Sequence, residues 1–305
     1  MSGHLDSAHF TLGNQRLKRF AIGTAQFGLP YGISNQIGQV PRSEVELMLQ
    51  LALASGIDTL DTAISYGNSE TCLGEVGTQD FKVVSKLPPL PDGCADVCPW
   101  VEHQVSASIS RLGVTELYGL LLHCPEQLLG PNGPALYQAL KILKANGQVQ
   151  KIGISIYSPS ELVALSPKYN FDLVQAPFNL VDQRFYTSGW MQRLKDTDVE
   201  IHTRSAFLQG LLLMAQADIP SKFLPWADLW QKWHHWLDCS HGSALKVCLD
   251  FALSFPEIDR IVVGAQSVSQ LTQIVSAINS KLKSDLPNLQ SDDENLINPV
   301  NWNQL

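Results

Sequence analysis

Short apolar runs alternate with longer segments of helical period along most of the chain, and this alternation restricts the fold more than any single motif does. The runs are RFAIGTA (19–25), IDTLD (57–61), FKVVSK (81–86), ELYGLLLH (116–123), KIGIS (151–155), DLVQ (172–175), VEIHTR (199–204) and RIVVG (260–264). Each is followed by a segment with apolar residues at helical spacing. After the first run, SEVELMLQLALASG offers Ser43 as a cap, Glu46 at the capping-box position and Gly56 as the stop. Further helices are expected near 69–77, over about 99–112, and near 134–146 with Asn146-Gly147 closing it. A strand that recurs after a crossover helix runs in the same direction as its predecessor, so the sheet has to be parallel. Eight such units in about 260 residues predict an α/β fold of the closed (β/α)8, or TIM-barrel, type rather than an open doubly wound sheet. No G-x-G-x-x-G follows the first run, which also weighs against an open dinucleotide-binding sheet. Nothing interrupts the alternation, so one domain over 1–305 is expected, with a core at about 18–283 and an irregular extension at 284–305 whose end frays. Residues 8–18 are expected to form a short hairpin closing the barrel bottom.

Composition narrows the function classes. With 45% hydrophobic and 16% charged residues over 305 positions, the chain has the make-up of a globular protein with a large core. No apolar run approaches the roughly 20 residues a membrane span needs. The opening MSGHLDSAHF lacks the basic and apolar regions of a secretion signal, so a cytoplasmic protein with no membrane partner is expected. A net charge of −8 without any basic cluster argues against nucleic acid. Six cysteines in a chain this long do not make a disulfide framework. Cys94 and Cys98 are spaced like metal ligands, but no second close Cys or His pair completes a set of four, so no metal is expected. Trp226, Trp230, Trp233 and Trp236 make a helical stripe that reads as packing, with His234 and His235 between them. A monomer or weak homo-oligomer is expected.

In a barrel of this kind the C-terminal ends of the strands and the loops after them build the site. The polar or flexible residues ending the runs are Asp61, Lys86, His123, Ser155, Gln175, Arg204 and Gly264. Any one of them is equally well explained by a strand reaching solvent. An acid, a lysine and a histidine on one rim, with Tyr66 in the loop beyond Asp61, are not. The stretches IDTLDTAISYGNSETCLGE, VVSKL, LLLHCP, KIGIS, DLVQAPFNL and RSAFLQGLLL, in this order, resemble the aldo-keto reductase superfamily over Gly23 to about Ile278. The resemblance implies that Asp61, Tyr66, Lys86 and His123 form the family's catalytic set, and that the chain reduces a small-molecule carbonyl with a nicotinamide cofactor. The residue types suit that chemistry. A free tyrosine holds its proton to a pKa of about 10. A nearby ammonium, Lys86, is expected to favour the phenolate, and Asp61 to keep that lysine charged and in place. His123 then orients the carbonyl oxygen and stabilises the developing alkoxide. In the same stretch Gly67 is expected to allow a close turn, Asn68 or Ser69 to cap the next helix, and Glu70 to act as N-terminal helix charge.

The resemblance further implies cofactor contacts. Ser155 and Gln175 match positions that bind the nicotinamide carboxamide, and Asn179 a polar position nearby. Thr24, at the end of the first strand, matches a place where the backbone meets the cofactor. Ser205 and Gly210 in SAFLQG, with Gly264, Gln266 and Gln270 in VGAQSVSQL, match the pyrophosphate and ribose loops. Three departures stand out. Ile156 follows Ser155 where the family commonly has Asn. Arg204 stands where an aromatic ring often stacks on the nicotinamide, so its guanidinium is expected to contact cofactor or substrate. The stretch 263–273 has no Lys or Arg for a 2'-phosphate, so NADPH is expected on the family's habit, with NADH as the alternative. Phe27, Tyr31 and Trp100 are candidate pocket aromatics, though aromatics also fill cores. Two other functions use the same residues: a cofactor-binding redox sensor without turnover, and a lyase or aldolase with Lys86 as a Schiff base.

Overall fold

In the computed structural model, residues 15–33, 35, 37–278 and 286–304 are described. Eight parallel strands close into one barrel in sequence order, and the last pairs back onto the first, Gly23 lying opposite both Asp61 and Gly264. They are β1 (Phe20–Gly23), β2 (Thr59–Asp61), β3 (Lys82–Leu87), β4 (Leu117–Leu122), β5 (Val149–Ser155), β6 (Leu173–Pro177), β7 (Glu200–Arg204) and β8 (Arg260–Gly264). The main helices outside them are α1 (Arg42–Ala54), α2 (Ser69–Val76), α3 (Val97–Leu112), α4 (Gly133–Ala145), α5 (Pro159–Leu165), α6 (Trp190–Lys195), α7 (Ala227–Ser240), α8 (Ala244–Leu253) and α9 (Val268–Ala277). This is the (β/α)8 architecture that the alternation requires.

Strands buried on both faces have to be apolar on both, and the two faces serve different cores. One residue from each strand, Ile22, Leu60, Val83, Leu120, Ile154, Val174, Ile201 and Ile261, belongs to the large core shared with the surrounding helices. The opposite face fills the barrel, where Val84, Leu121 and Leu173 form a separate small cluster. Lys86, His123 and Gln175 lie two residues beyond these three, so the two-residue period of a strand aims them at the same lumen, at its C-terminal mouth.

Some local expectations fail for identifiable reasons. α1 starts at Arg42 with Pro41 in the cap position and no side-chain cap, because the Pro41 carbonyl already receives the Glu44 and Val45 amides and leaves Ser43 inside the first turn. The hairpin expected over 8–18 lies outside the described residues up to 14, and 15–17 are a helical turn instead of a strand. The arginines there explain the geometry. Arg19 donates to the carbonyls of Leu253, Phe255 and Ile258, and Arg16 to that of Ile278, so residues 15–19 are fastened to the ends of α8 and α9 and to the turn before β8. The extension is ordered as well: within 286–304, Leu289, Leu296, Ile297 and Trp302 are buried. No helix among the described residues is long and apolar enough to cross a membrane.

Candidate active site

A cavity of about 740 Å³ opens at the C-terminal mouth of the barrel. It is lined by all of Asp61, Tyr66, Lys86 and His123, and by Thr24, Tyr31, Ser155, Gln175, Arg204, Ser205, Gly210, Gly264, Gln266 and Gln270. Two sequence expectations are corrected. Phe27 is fully buried in the core, since the one-turn helix Ala25–Gly28 carries it away from the mouth. Trp100, in the first turn of α3, packs against the large core, and neither aromatic lines the cavity.

The polar residues of the mouth form a connected chain. Lys86 is 1% exposed, and its ammonium donates to Asp61 Oδ2 at 2.7 Å and to the Thr62 carbonyl at 2.9 Å. Burial is the largest single influence on the lysine's pKa and lowers it; Asp61 and Tyr66 together raise it by more, and the net shift is upward. Asp61 Oδ1 accepts from Gln175 Nε2 at 2.6 Å, and Gln175 Oε1 accepts from the Ser155 hydroxyl at 3.3 Å. One acid thus fixes residues from three strands, which is how a buried charge pair is tolerated in a low-dielectric interior.

Above this chain the Lys86 ammonium lies 5.0 Å from the centre of the Tyr66 ring. Tyr66 meets His123 edge to face, with ring centres 5.9 Å apart. His123 Nδ1 is 3.2 Å from the Ser65 hydroxyl. Burial first, then the charges of Lys86 and Arg204, lower the His123 pKa from 6.5 to about 4, so the imidazole is neutral at pH 7.

The loop that carries Tyr66 is set by backbone contact with the turn after β1. A Cβ on Gly28 would fall 1.8 Å from the Tyr66 carbonyl oxygen, and one on Gly67, itself at φ +55°, 2.4 Å from the Gly28 oxygen. The Ser69 hydroxyl donates to the Thr24 carbonyl at 2.9 Å, while Asn68, at the cap position of α2, makes no side-chain cap and accepts from Gln39 instead. Glu70 stands in the first turn of α2, as expected, but its charge is used inside the protein. It is buried, accepting from the Ser85 and Ser108 hydroxyls at 2.7 Å each and from Arg111 at 2.6 Å, and so ties α2 to β3 and α3.

On the other side of the mouth the chain winds through left-handed conformations at Ser205, Leu208, Gln209 and Gly210. Asn179 does not line the cavity, but its Nδ2 holds this loop by donating to the Ser205 carbonyl at 3.0 Å. The lining also contains Gln26, Ser65, Tyr157, Gln209, Ser243 and Gln273, none of which the sequence reading singled out. Tyr157 was recoverable, because it continues the Gly153, Ser155 parity beyond the strand end. Ser243 and Gln273 had no local signal.

The lining suits an extended dinucleotide. Amide and hydroxyl side chains predominate, and the N-terminal turns of α8 and α9 reach the cavity through Ser243, Ala244 and Gln270, where backbone N–H groups favour phosphate.

Comparison with known proteins agrees with this geometry. The sequence profile of the aldo/keto reductase family matches residues 19–288. A Bacillus subtilis (strain 168) protein, "Uncharacterized oxidoreductase YqkF", is 22% identical over 77% of this chain and 82% of its own length. The Arabidopsis thaliana "L-galactose dehydrogenase" is 26% identical over 93% of this chain and 91% of its own. Among solved structures, the "aldo-keto reductase AKR11C1 from Bacillus halodurans (holo form)" superposes with a TM-score of 0.70 at 18% identity, covering 87% of this chain and 88% of that one.

Proposed function

The chain belongs to the aldo/keto reductase family, oxidoreductases that act on carbonyl compounds and generally use NAD(P)H, and we propose that it reduces an aldehyde, ketone or sugar-like carbonyl with Tyr66 as the proton donor. One observation carries this reading: the buried Lys86–Asp61 pair, 2.7 Å apart, sits directly under the Tyr66 ring in the cavity. NAD(P)H, when bound, supplies the hydride. The protein's share is the proton and the charge. Lys86, held as an ammonium by Asp61, stabilises the phenolate left when Tyr66 gives its proton to the carbonyl oxygen. His123 is neutral and, in the tautomer whose Nδ1 accepts from the Ser65 hydroxyl, presents Nε2–H as a hydrogen-bond donor to the same oxygen. The upward pKa shift of Lys86 opposes the Schiff-base alternative, which needs a neutral amine. The sugar-like substrate class is supported by the relative named for L-galactose.

Ser155 and Gln175 are assigned to the nicotinamide end and the loops with Ser205, Gly210, Gly264, Gln266 and Gln270 to the phosphates and ribose. Among the described residues the only Lys and Arg side chains on the lining are Lys86 and Arg204, so the described part of the glutamine-rich end of the cavity offers a 2'-phosphate no cation. On this reading NADPH is used as expected, but NADH serves nearly as well.

Turnover of a panel of simple aldehydes, with NADPH and with NADH, tests these assignments. Tyr66→Phe is expected to lower kcat/KM by about 100- to 10,000-fold. Retention of most of the rate by that variant would remove Tyr66 from its role. An NADPH preference above about 10-fold, the worth of one charged contact, would mean that a cation reaches the 2'-phosphate after all.

A further inference from the structure

Arg204 ends β7 inside the cavity without an acid beside it. Its Nη2 donates to the Ile156 carbonyl at 3.0 Å, its Nη1 lies 3.5 Å from the Ser205 hydroxyl, and its guanidinium carbon stacks 4.5 Å over the Tyr157 ring. These contacts hold the plane in place and leave most of its five N–H donors free of protein partners among the described residues. No described carboxylate is within ion-pair distance. Lys86 is neutralised by Asp61, so Arg204 is the cation of the described lining without a directly paired carboxylate, Glu161 acting on it only at longer range, in a protein whose net charge is −8. A half-buried guanidinium has lost part of its hydration, and a bound anion compensates that loss most strongly. Its field also reaches the reacting end: the charge contributes, after burial and Lys86, to the lowered pKa of His123.

We propose that Arg204 anchors the substrate by an anionic group, so that the carbonyl compound this cavity takes carries a carboxylate, paired with the guanidinium while the carbonyl oxygen faces Tyr66 and His123. This rests on the reading of Tyr66 and His123 as the end where the carbonyl oxygen binds. An anion here has two sources, the substrate and the cofactor diphosphate. The diphosphate has other partners, since the N-termini of α8 and α9 reach the cavity beside β8. Arg204 is drawn the opposite way, onto Ile156 and Tyr157 beyond β5. A guanidinium matches a carboxylate with two parallel bonds, which a point charge cannot do.

The test compares short oxo-carboxylates, such as glyoxylate and glutarate semialdehyde, each with its primary amide, which keeps the reacting carbonyl and removes the charge. The wild-type kcat/KM is expected to favour the acid by about 10- to 100-fold, mostly through KM. Arg204→Gln is expected to bring that ratio close to one, and Arg204→Lys to retain part of it. Fluorescence titration with NADPH on the same variants is expected to change less than the acid-to-amide ratio does. A wild-type ratio near one for every pair overturns the proposal. So does a loss of NADPH affinity with the ratio intact, which would assign Arg204 to the diphosphate. Calorimetric binding of glutarate against glutaramide, to wild type loaded with NADP+, reads the anchor without turnover. A glutarate preference in a protein that reduces nothing would count against the Tyr66 chemistry and support the anchor, whereas equal binding would count against the anchor.

Discussion

His123 shows how the mouth sets the state of a single side chain. Burial, Lys86 and Arg204 together hold it neutral down to about pH 4, whereas in the unfolded chain it takes up a proton near its ordinary 6.5. Between those values the unfolded state binds more protons than the folded one, so this residue's contribution to stability falls as pH drops from about 6.5 to about 4. In His123→Gln that component is gone. Urea midpoints at pH 7 and pH 4.5 are expected to show wild type losing on the order of 2 kcal/mol more than the variant over this interval. Equal losses would mean that His123 is protonated in the folded protein. Lys86 was legible from its strand-end position, because a lysine has no reason to point into a barrel without an acid there. The roles of Tyr157 and Ser65 were less so: the parity of β5 gives Tyr157 its place, but each acts through a neighbour, Arg204 or His123, and a sequence does not display such pairings.

The elements that meet at the mouth place these side chains through close backbone contact. The turn Ala25–Gly28 and the loop 66–69 touch so tightly that a side chain fits at neither Gly28 nor Gly67. Gly28→Ala would push the added carbon against the Tyr66 carbonyl, and the cheaper relief is for the loop to move outward with its tyrosine. A fall in kcat/KM of about 10- to 100-fold is expected, with NADPH affinity little changed, because the contacts assigned to the nicotinamide come from β5 and β6. Full activity in that variant would show that the Tyr66 loop adjusts freely. The strands themselves were legible to within about two residues, because their apolar runs and two-residue period state both burial and facing. Two kinds of feature were not. The Pro41 start of α1 is hidden by Ser43, which resembles a cap two residues later, and the buried Glu70 looks like an ordinary first-turn acid until Ser85, Ser108 and Arg111 are brought to it from other elements.

At the scale of the whole molecule, barrel closure couples distant parts of the chain. Every strand has two neighbours, so none can leave without opening the ring, and Arg16 and Arg19 fasten the segment before β1 to carbonyls of residues 253–278. We therefore expect one cooperative unit over the whole chain, with fluorescence and circular dichroism reporting a single coincident unfolding transition; two separable transitions would divide it into domains. The extension belongs to that unit. Trp302 packs edge to face on Phe223 with ring centres 4.9 Å apart, its carbonyl accepts from Lys222 at 2.8 Å, and Asp293 accepts from Trp226 at 3.0 Å. These contacts brace the segment leading into α7, whose Trp233 donates to the Leu212 carbonyl in the loop beside the cavity, at 3.1 Å. Ending the chain after 285 would strip cover from Phe223 and remove the buried Leu296, Ile297 and Trp302. At about 1.5–3 kcal/mol for each large apolar side chain, the loss is on the order of 5 kcal/mol. The truncated protein is expected to unfold at lower temperature, still in one transition, and to bind NADPH more weakly as the loop after β7 loses its support. An unchanged midpoint would show that the extension rests on the barrel without holding it.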